Sequence, residues 1–132
     1  MPDKKIHLLL IDDDPAILRL FSAQLADAGF EIMPAHDGNE GREIARRFLP
    51  DLILTDQNMP IMDGFEVIAR LKNEDITKNI PVILLTNEDL SVEAERLVKE
   101  SGAADYIHKS TPIQEIIGRI KKALPASLEK SQ

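Results

Sequence analysis

The sequence predicts an α/β fold in which a five-stranded parallel sheet is packed between two layers of helices. Three short apolar runs are almost continuous, namely residues 6–11 (IHLLLI), 52–55 (LILT) and 82–86 (VILLT). Strands buried on both faces have this composition, and such burial is typical of parallel sheets. Helical patterns separate the strands, so the chain reads as five strand–helix repeats. Right-handed crossovers then give a three-layer sandwich.

The first two repeats carry clear start and stop signals. Asp14 and Pro15 predict a helix N-cap followed by proline at the first helical position, and Gly29 predicts the end of that helix. A weaker strand follows at residues 30–35. Pro34 places this strand at the edge of the sheet, because proline has no N–H to donate to a neighbouring strand.

The later repeats are assigned in the same way. Gly102 predicts the end of one helix, and a short strand is expected at residues 105–108 (DYIH). Residues 111–114 (TPIQ) predict a capping box that opens the last helix, whose isoleucines recur at helical spacing. The other helices are expected at residues 39–48, 65–73 and 92–101.

Composition and charge restrict the class of protein. The net charge of −7 argues against nucleic-acid binding through a general electrostatic patch. No apolar run approaches the length of a membrane span, and the first residues lack the pattern of a signal peptide. The absence of cysteine agrees with a cytoplasmic location. We expect one soluble domain at residues 1–125 and a polar tail at 126–132, with no output domain within these residues; both a single-domain protein and a piece of a longer regulator fit the sequence.

Three adjacent carboxylates, Asp12, Asp13 and Asp14, directly follow the first buried strand. Like charges repel one another, and an apolar surrounding raises that cost. Either these side chains spread into solvent or a cation lies among them. As a helix N-cap, Asp14 is expected to face backbone N–H groups and to take no part in chemistry.

Residues at the ends of other strands predict which groups would join these carboxylates in one site. In an open parallel sheet, ligands bind beyond the carboxyl ends of the strands, and there the chain has Asp56, Thr86 and Lys109. Clustered carboxylates suit Mg²⁺ or Mn²⁺, with Asp12 and Asp13 as ligands. A carboxylate can also attack phosphorus, and Asp56 is the candidate because it stands alone at the central strand's end. Thr86 would donate a hydrogen bond to the phosphoryl group, and Lys109 would supply positive charge.

The chain resembles the receiver domain of two-component response regulators over residues 6–124, and most closely a single-domain, chemotaxis-regulator-like receiver. The spacing D-x-x-M-P-x-x-D-G from Asp56 to Gly64 is the most specific feature. The resemblance implies a flavodoxin-like strand order of 2-1-3-4-5. The matching pieces are IDDDP (11–15), LILTDQNMPIMDG (52–64), PVILLTN (81–87) and ADYIHK (104–109).

The resemblance also implies a chemistry. Asp56 would accept a phosphoryl group from a phosphohistidine of a sensor histidine kinase or phosphotransfer protein. Mg²⁺ would be bound by Asp13, Asp56 and the backbone carbonyl of Asn58, with Asp12 reaching the ion through water. The protein would not be an enzyme beyond its own phosphotransfer and autodephosphorylation.

A switch is implied as well. Thr86 and Tyr106 would couple phosphorylation to the surface of the fourth helix, fifth strand and fifth helix, which would regulate a partner that the sequence does not identify. In the active form, Thr86 would be drawn to the phosphoryl group and the Tyr106 ring would turn inward.

The chain departs from the usual receiver pattern at several positions. Lys109 is followed by Ser110 where the family usually has a proline after a cis peptide bond. Asn87 follows the threonine where a small residue is usual, and its bulkier amide is expected to narrow the access of the kinase or of water to the site. Asn58 and Glu88 are polar, and we predict that they position a hydrolytic water and make the phosphoryl group short-lived.

Other functions are compatible with parts of the pattern. Asp12, Asp14, Thr86 and Lys109 follow the order of haloacid-dehalogenase-like phosphatases, but the Gly-Thr pair expected after the second aspartate is absent. A flavodoxin-like FMN carrier would need a loop rich in Ser, Thr and Gly in place of DDDP. A third alternative is an interaction module that never carries phosphate.

Several residues are expected to be purely structural. Asp63 and Gly64 predict a turn into the third helix, where glycine would permit a positive φ. The three histidines fall in separate elements, are expected to be structural or exposed to solvent, and predict no zinc site; they are His7, His36 and His108.

Overall fold

The computed structural model describes residues 5–89 and 91–125, so the tail predicted at 126–132 lies outside the described residues. Strands and helices alternate along the described chain, as predicted, and no strand boundary differs from its prediction by more than one residue. The elements are β1 (His7–Ile11), α1 (Pro15–Asp27), β2 (Glu31–Ala35), α2 (Gly38–Phe48), β3 (Leu52–Asp56), α3 (Gly64–Lys72), β4 (Val82–Thr86), α4 (Val92–Ser101), β5 (Asp105–His108) and α5 (Ile113–Ala123).

The sheet has the strand order β2-β1-β3-β4-β5, and every neighbouring pair is parallel. β3 and β4 lie in the interior of the sheet and are buried at every position, which accounts for their continuous apolar runs. β2 lies at one edge, as Pro34 predicts. Both the fold class and the strand order are confirmed.

Alternate residues of the strands form two separate cores, one on each face of the sheet. On one face, Leu8 and Leu10 of β1 pack in a cluster with residues of α1 and α5. On the other face, Leu9 and Ile11 pack in a cluster with residues of α2, α3 and α4. The result is the predicted three-layer sandwich, and each fully buried aliphatic side chain contributes about 1.5–3 kcal/mol to its stability.

Local signals determine most helix ends. Asp14 Oδ1 accepts a hydrogen bond of 2.9 Å from the backbone N of Ala16, which confirms the predicted N-cap of α1. Gly102 ends α4 with a φ of +85°, a left-handed conformation that glycine adopts without steric cost. Within residues 5–89 and 91–125, the helices are too short or too polar to cross a bilayer.

The predicted capping box of α5 is wrong. The N-cap is Pro112 and not Thr111, and no side chain caps the helix. The Pro112 carbonyl accepts the backbone N–H groups of Glu115 and Ile116 at 3.0 and 3.1 Å. Because Pro112 itself is the cap, the threonine lies one residue too early for its hydroxyl to reach the first turn of the helix.

Candidate functional site

The predicted site residues lie at the carboxyl edge of the sheet. β2 lies on one side of β1 and β3 lies on the other, so the strand order reverses between β1 and β3. Such a point leaves a crevice in which open α/β sheets bind their ligands. Asp12 follows β1 and Asp56 ends β3, on the two sides of this crevice. Thr86 and Lys109 come from the next two strands along the same edge.

Three carboxylates meet at this edge. Asp12, Asp13 and Asp56 each offer an oxygen, and these oxygens lie within 4.8 Å of one another. Asp12 is fully buried and Asp56 is 4% exposed, whereas Asp13 is exposed to solvent. Backbone amides hold the two buried groups: Asp14 donates to Asp12 Oδ1 at 2.9 Å, and Asn58 donates to Asp56 Oδ1 at 3.3 Å.

Lys109 reaches across the edge to both buried carboxylates. Its Nζ atom lies 2.8 Å from Asp12 Oδ2 and 3.1 Å from Asp56 Oδ1, and its side chain is only 7% exposed. The ammonium therefore offsets part of the repulsion between the acids. At this degree of burial, the loss of one partner would leave an uncompensated charge in the interior.

The site changes the ionisation of two of its groups. Burial raises the pKa of the Asp56 carboxyl and the charge of Asp12 raises it further, although Lys109 and the Asn58 amide act in the opposite direction. Burial by itself would lower the pKa of Lys109, but its short polar contacts with Asp12 and Asp56 outweigh that effect, and its pKa is raised. Lys109 is therefore cationic at neutral pH.

The donor set fits a hard divalent cation. All three clustered groups are carboxylates, which are the ligands that Mg²⁺ and Mn²⁺ prefer. Among the described residues, the buried Asp12 Oδ2 atom contacts Lys109 but accepts no hydrogen bond of good geometry. A buried carboxylate oxygen with this free capacity suits an ion or an ordered water between Asp12 and Asp13.

Thr86 ends β4 and is 4% exposed. Its hydroxyl oxygen accepts a hydrogen bond of 3.0 Å from the backbone N of Glu88, and its carbonyl accepts one of 2.8 Å from the backbone N of Lys109. The hydroxyl hydrogen is left available for a further acceptor. Tyr106, on β5, is half-buried against the core beneath α2, α3 and α4.

The loop after β3 has a structural role, but its glycine acts differently from the prediction. Asp63 caps α3 by accepting a hydrogen bond from the backbone N of Glu66 at 2.9 Å. Gly64 has no positive φ; the left-handed residue of the loop is Ile61, at +72°. Glycine is needed at 64 because a Cβ there would lie 2.9 Å from the backbone oxygen of Asp56 and 2.6 Å from a methyl of Leu84.

Two residues that the sequence analysis did not assign to the site also shape this edge. The Gln57 side chain accepts a hydrogen bond of 3.1 Å from the backbone N of Phe65, which ties the end of β3 to the start of α3. His108, predicted to be structural or exposed, contacts the loop after β4. The sequence gives no signal for either contact, since the partners lie 8 and 21 residues away.

The fold and the site define a class of protein, namely small α/β domains with a cluster of acids and a buried lysine at the switch point of a 2-1-3-4-5 sheet. Residues 8–121 match the family described as "Response regulator receiver domain". The chain belongs to this family of two-component response regulators.

Relatives in this family support the assignment. The chain is 38% identical over 118 residues to the "DNA-binding dual master transcriptional regulator RpaA" of Synechocystis sp., covering 89% of this chain and 48% of that protein. It is 40% identical over 112 residues to "Response regulator PleD" of Caulobacter vibrioides, covering 84% of this chain and 24% of that protein. The chain therefore spans about half or less of the length of these two curated relatives.

Solved structures agree with the fold. The chemotaxis protein CheY4 of Vibrio cholerae superposes with a TM-score of 0.86 at 30% identity, covering 92% of this chain and 100% of that chain. A response regulator receiver domain protein from Methanospirillum hungatei is similar, with a TM-score of 0.83 at 25% identity and 97% coverage of both chains.

Proposed function

We propose that this domain accepts a phosphoryl group on Asp56 from the phosphohistidine of a sensor histidine kinase or a phosphotransfer protein. The observation that carries the proposal is the placement of Lys109, whose ammonium lies between the buried carboxylates of Asp12 and Asp56. A nucleophile and a fixed cation lie at one strand edge, beside a cluster of acids that suits Mg²⁺. Receiver domains as a family interact with such phosphodonors.

The transfer itself is a displacement at phosphorus. An Asp56 carboxylate oxygen forms a bond to the phosphorus while the P–N bond of the phosphohistidine breaks, and the bonding pair returns to the imidazole nitrogen. Lys109 supplies positive charge to the phosphoryl oxygens, and the Thr86 hydroxyl donates to one of them. When bound to Asp12, Asp13, Asp56 and the Asn58 carbonyl, Mg²⁺ would neutralise charge on the transferred group.

The direct test is incubation with acetyl phosphate and Mg²⁺, followed by intact-mass measurement. We expect the mass to rise by one phosphoryl group per chain, and we expect chelation of the metal by EDTA to prevent the rise. An unchanged mass would favour an interaction module without phosphate chemistry. Steady turnover of several phosphate esters would favour a phosphatase, although Asp14, the second acid of that pattern, is engaged as the cap of α1.

The lifetime of the phosphoryl group tests two further residues. Asn58 and Glu88 lie two positions after Asp56 and Thr86, and both of their backbone amides donate to the side chains of those residues. Their side chains therefore branch from backbone that contacts Asp56 and Thr86, and we propose that they position the attacking water. The double variant Asn58→Ala/Glu88→Ala is expected to prolong the half-life of the phosphorylated protein about tenfold, because orientation of a water lowers the barrier.

The half-life is measured by loss of the added mass after the phosphodonor is removed. Asp89→Ala, an exposed acid in the same loop, serves as the control and should leave the half-life unchanged. Equal lifetimes for the parent and the double variant would show that Asn58 and Glu88 do not position the water.

Tyr106 allows the proposed switch to be observed directly. It is the only tyrosine of the chain, which contains no tryptophan, so the tyrosine emission reports on this one ring. We propose that beryllofluoride, a mimic of the phosphoryl group, changes this emission because the half-buried ring beside α4 moves. An emission spectrum that is the same with and without the mimic, while the mimic is bound, would contradict the role of Tyr106 as a switch residue.

A further inference from the structure

His108, at the end of β5, bridges the two loops that flank Thr86 and Lys109. Its Nε2 atom lies 3.0 Å from the backbone carbonyl oxygen of Asn87, in the loop after β4. On the other side of the ring, Nδ1 lies 3.1 Å from the backbone N of Ser110 and 2.7 Å from its hydroxyl oxygen. One half-buried side chain thus contacts both loops at once.

The partners of the ring determine which of its nitrogens carries the hydrogen. A backbone carbonyl can only accept a hydrogen bond, so Nε2 must carry a hydrogen toward Asn87. A backbone N–H can only donate, so Nδ1 must be an unprotonated acceptor toward Ser110. Only the neutral tautomer with hydrogen on Nε2 satisfies both sides of the bridge.

The bridge lies beside the residues proposed to react. His108 is the register partner of Thr86 across β4 and β5, and the backbone N of Lys109 donates to the Thr86 carbonyl at 2.8 Å. The bridge therefore reinforces the last backbone hydrogen bond of the strand pair, just before the Lys109 side chain turns toward Asp12 and Asp56.

Ser110 holds the other side of the ring. A proline after Lys109 would have no backbone N–H, and its ring would restrict the loop by itself. In this chain the serine N–H is available, and it donates to the histidine instead. The peptide bond between Lys109 and Ser110 is trans, and the hydrogen bond from Ser110 to the His108 ring holds the described loop.

We infer that His108 is a positioning residue that fixes the loops after β4 and β5 against each other and so holds the Lys109 ammonium beside Asp56. The inference rests on the proposed phosphoryl transfer to Asp56. Without the bridge, the backbone of Lys109 gains freedom and its ammonium spends less time in the reactive geometry, which slows the transfer.

Three substitutions separate the two halves of the bridge. His108→Phe removes the hydrogen bonds of the ring on both sides and is expected to slow phosphorylation by acetyl phosphate about five- to tenfold, the usual effect of a lost neutral hydrogen bond. His108→Gln places an amide N–H at the position of Nε2 and is expected to stay within about twofold of the parent, because it still donates to Asn87. His108→Asn reaches only the position of Nδ1, and we expect it to be as slow as His108→Phe.

The readouts distinguish positioning from general stability. The rate at saturating acetyl phosphate should fall in His108→Phe, while the half-saturating concentration and the thermal midpoint change little. His36→Phe is the matched control, since His36 also follows a strand and bonds a nearby residue, Glu40, but lies away from Lys109 at the edge strand β2. Parental rates in His108→Phe, or a slow His108→Gln, would overturn the inference.

A second measurement tests the bridge independently of phosphorylation. Two-bond ¹H–¹⁵N spectra of the imidazole should show His108 as the Nε2–H tautomer at neutral pH. The Nδ1–H tautomer, or rapid exchange between the two, would overturn the bridge even if the transfer occurs. If the parent gains no phosphoryl group, the proposed function fails, and the positioning role fails with it, whatever the tautomer.

Discussion

Replacing Lys109 with methionine is expected to lower the free energy of unfolding of the metal-free protein by about 3 kcal/mol and to slow phosphorylation at least about 100-fold. Methionine fills much of the volume of the lysine stem, so the substitution mainly removes charge. The buried carboxylates of Asp12 and Asp56, now 2.8 and 3.1 Å from the cation, would lose their shared partner. The rate would fall because the phosphoryl oxygens lose a fixed positive charge.

Urea denaturation with and without Mg²⁺ measures the effect on stability. We expect Mg²⁺ to recover a large part of the lost stability in Lys109→Met, because a divalent ion can neutralise the same acids, but not to recover the rate. Lys99→Met, which removes an exposed lysine on α4, is the matched control and should change neither quantity. Unfolding curves for Lys109→Met that coincide with the parent would show that the acids are already solvated or protonated.

Much of the fold follows from local features of the sequence. The apolar sequence runs of β1, β3 and β4 are continuous because these strands are buried on both faces. Such strands can therefore be recognised from the sequence without knowing which strands lie beside them. Caps such as Asp14 and Asp63 are equally local, since their side chains bond within three residues. The α5 cap could not be predicted, because a shift of one residue decides whether Thr111 or Pro112 occupies it.

The sequence predicts which residues belong to the site better than it predicts the hydrogen bonds that they make. Parallel strands bring their carboxyl ends to one edge, so Asp12, Asp56, Thr86 and Lys109 could be placed together from the strand ends alone. The direction of each polar atom depends on backbone groups from other loops. Thr86 accepts a hydrogen bond from Glu88, and His108 contacts a carbonyl 21 residues away.

Asp56→Asn is expected to abolish phosphoryl uptake and, at the same time, to stabilise the metal-free protein at neutral pH. The amide is nearly isosteric but cannot attack phosphorus, so the mass should not rise with acetyl phosphate and Mg²⁺. The stabilisation follows because burial and the charge of Asp12 raise the pKa of Asp56, despite the attraction of Lys109. We expect a gain of about 1 kcal/mol, which lies within the range of single stabilising substitutions.

Asp14→Asn is the matched control for the loss of uptake. It changes the neighbouring acid to an equally good N-cap, and we expect uptake and stability to stay close to those of the parent. Phosphorylation of the Asp56→Asn variant would show that another residue accepts the phosphoryl group.

The pH dependence of the free energy of unfolding distinguishes relief of an unfavourable buried charge from the simple loss of an ion pair with Lys109. Since the pKa of Asp56 is higher in the folded state than its ordinary value of 3.8, the unfolded chain releases the proton first as the pH rises. Stability contributed by Asp56 is therefore present at low pH and is lost as the pH rises from about 3.8 through the folded pKa. The advantage of Asp56→Asn should accordingly grow across that window and shrink when Mg²⁺ binds the parent. A variant that is less stable than the parent at neutral pH would show instead that attraction to Lys109 outweighs burial and the charge of Asp12.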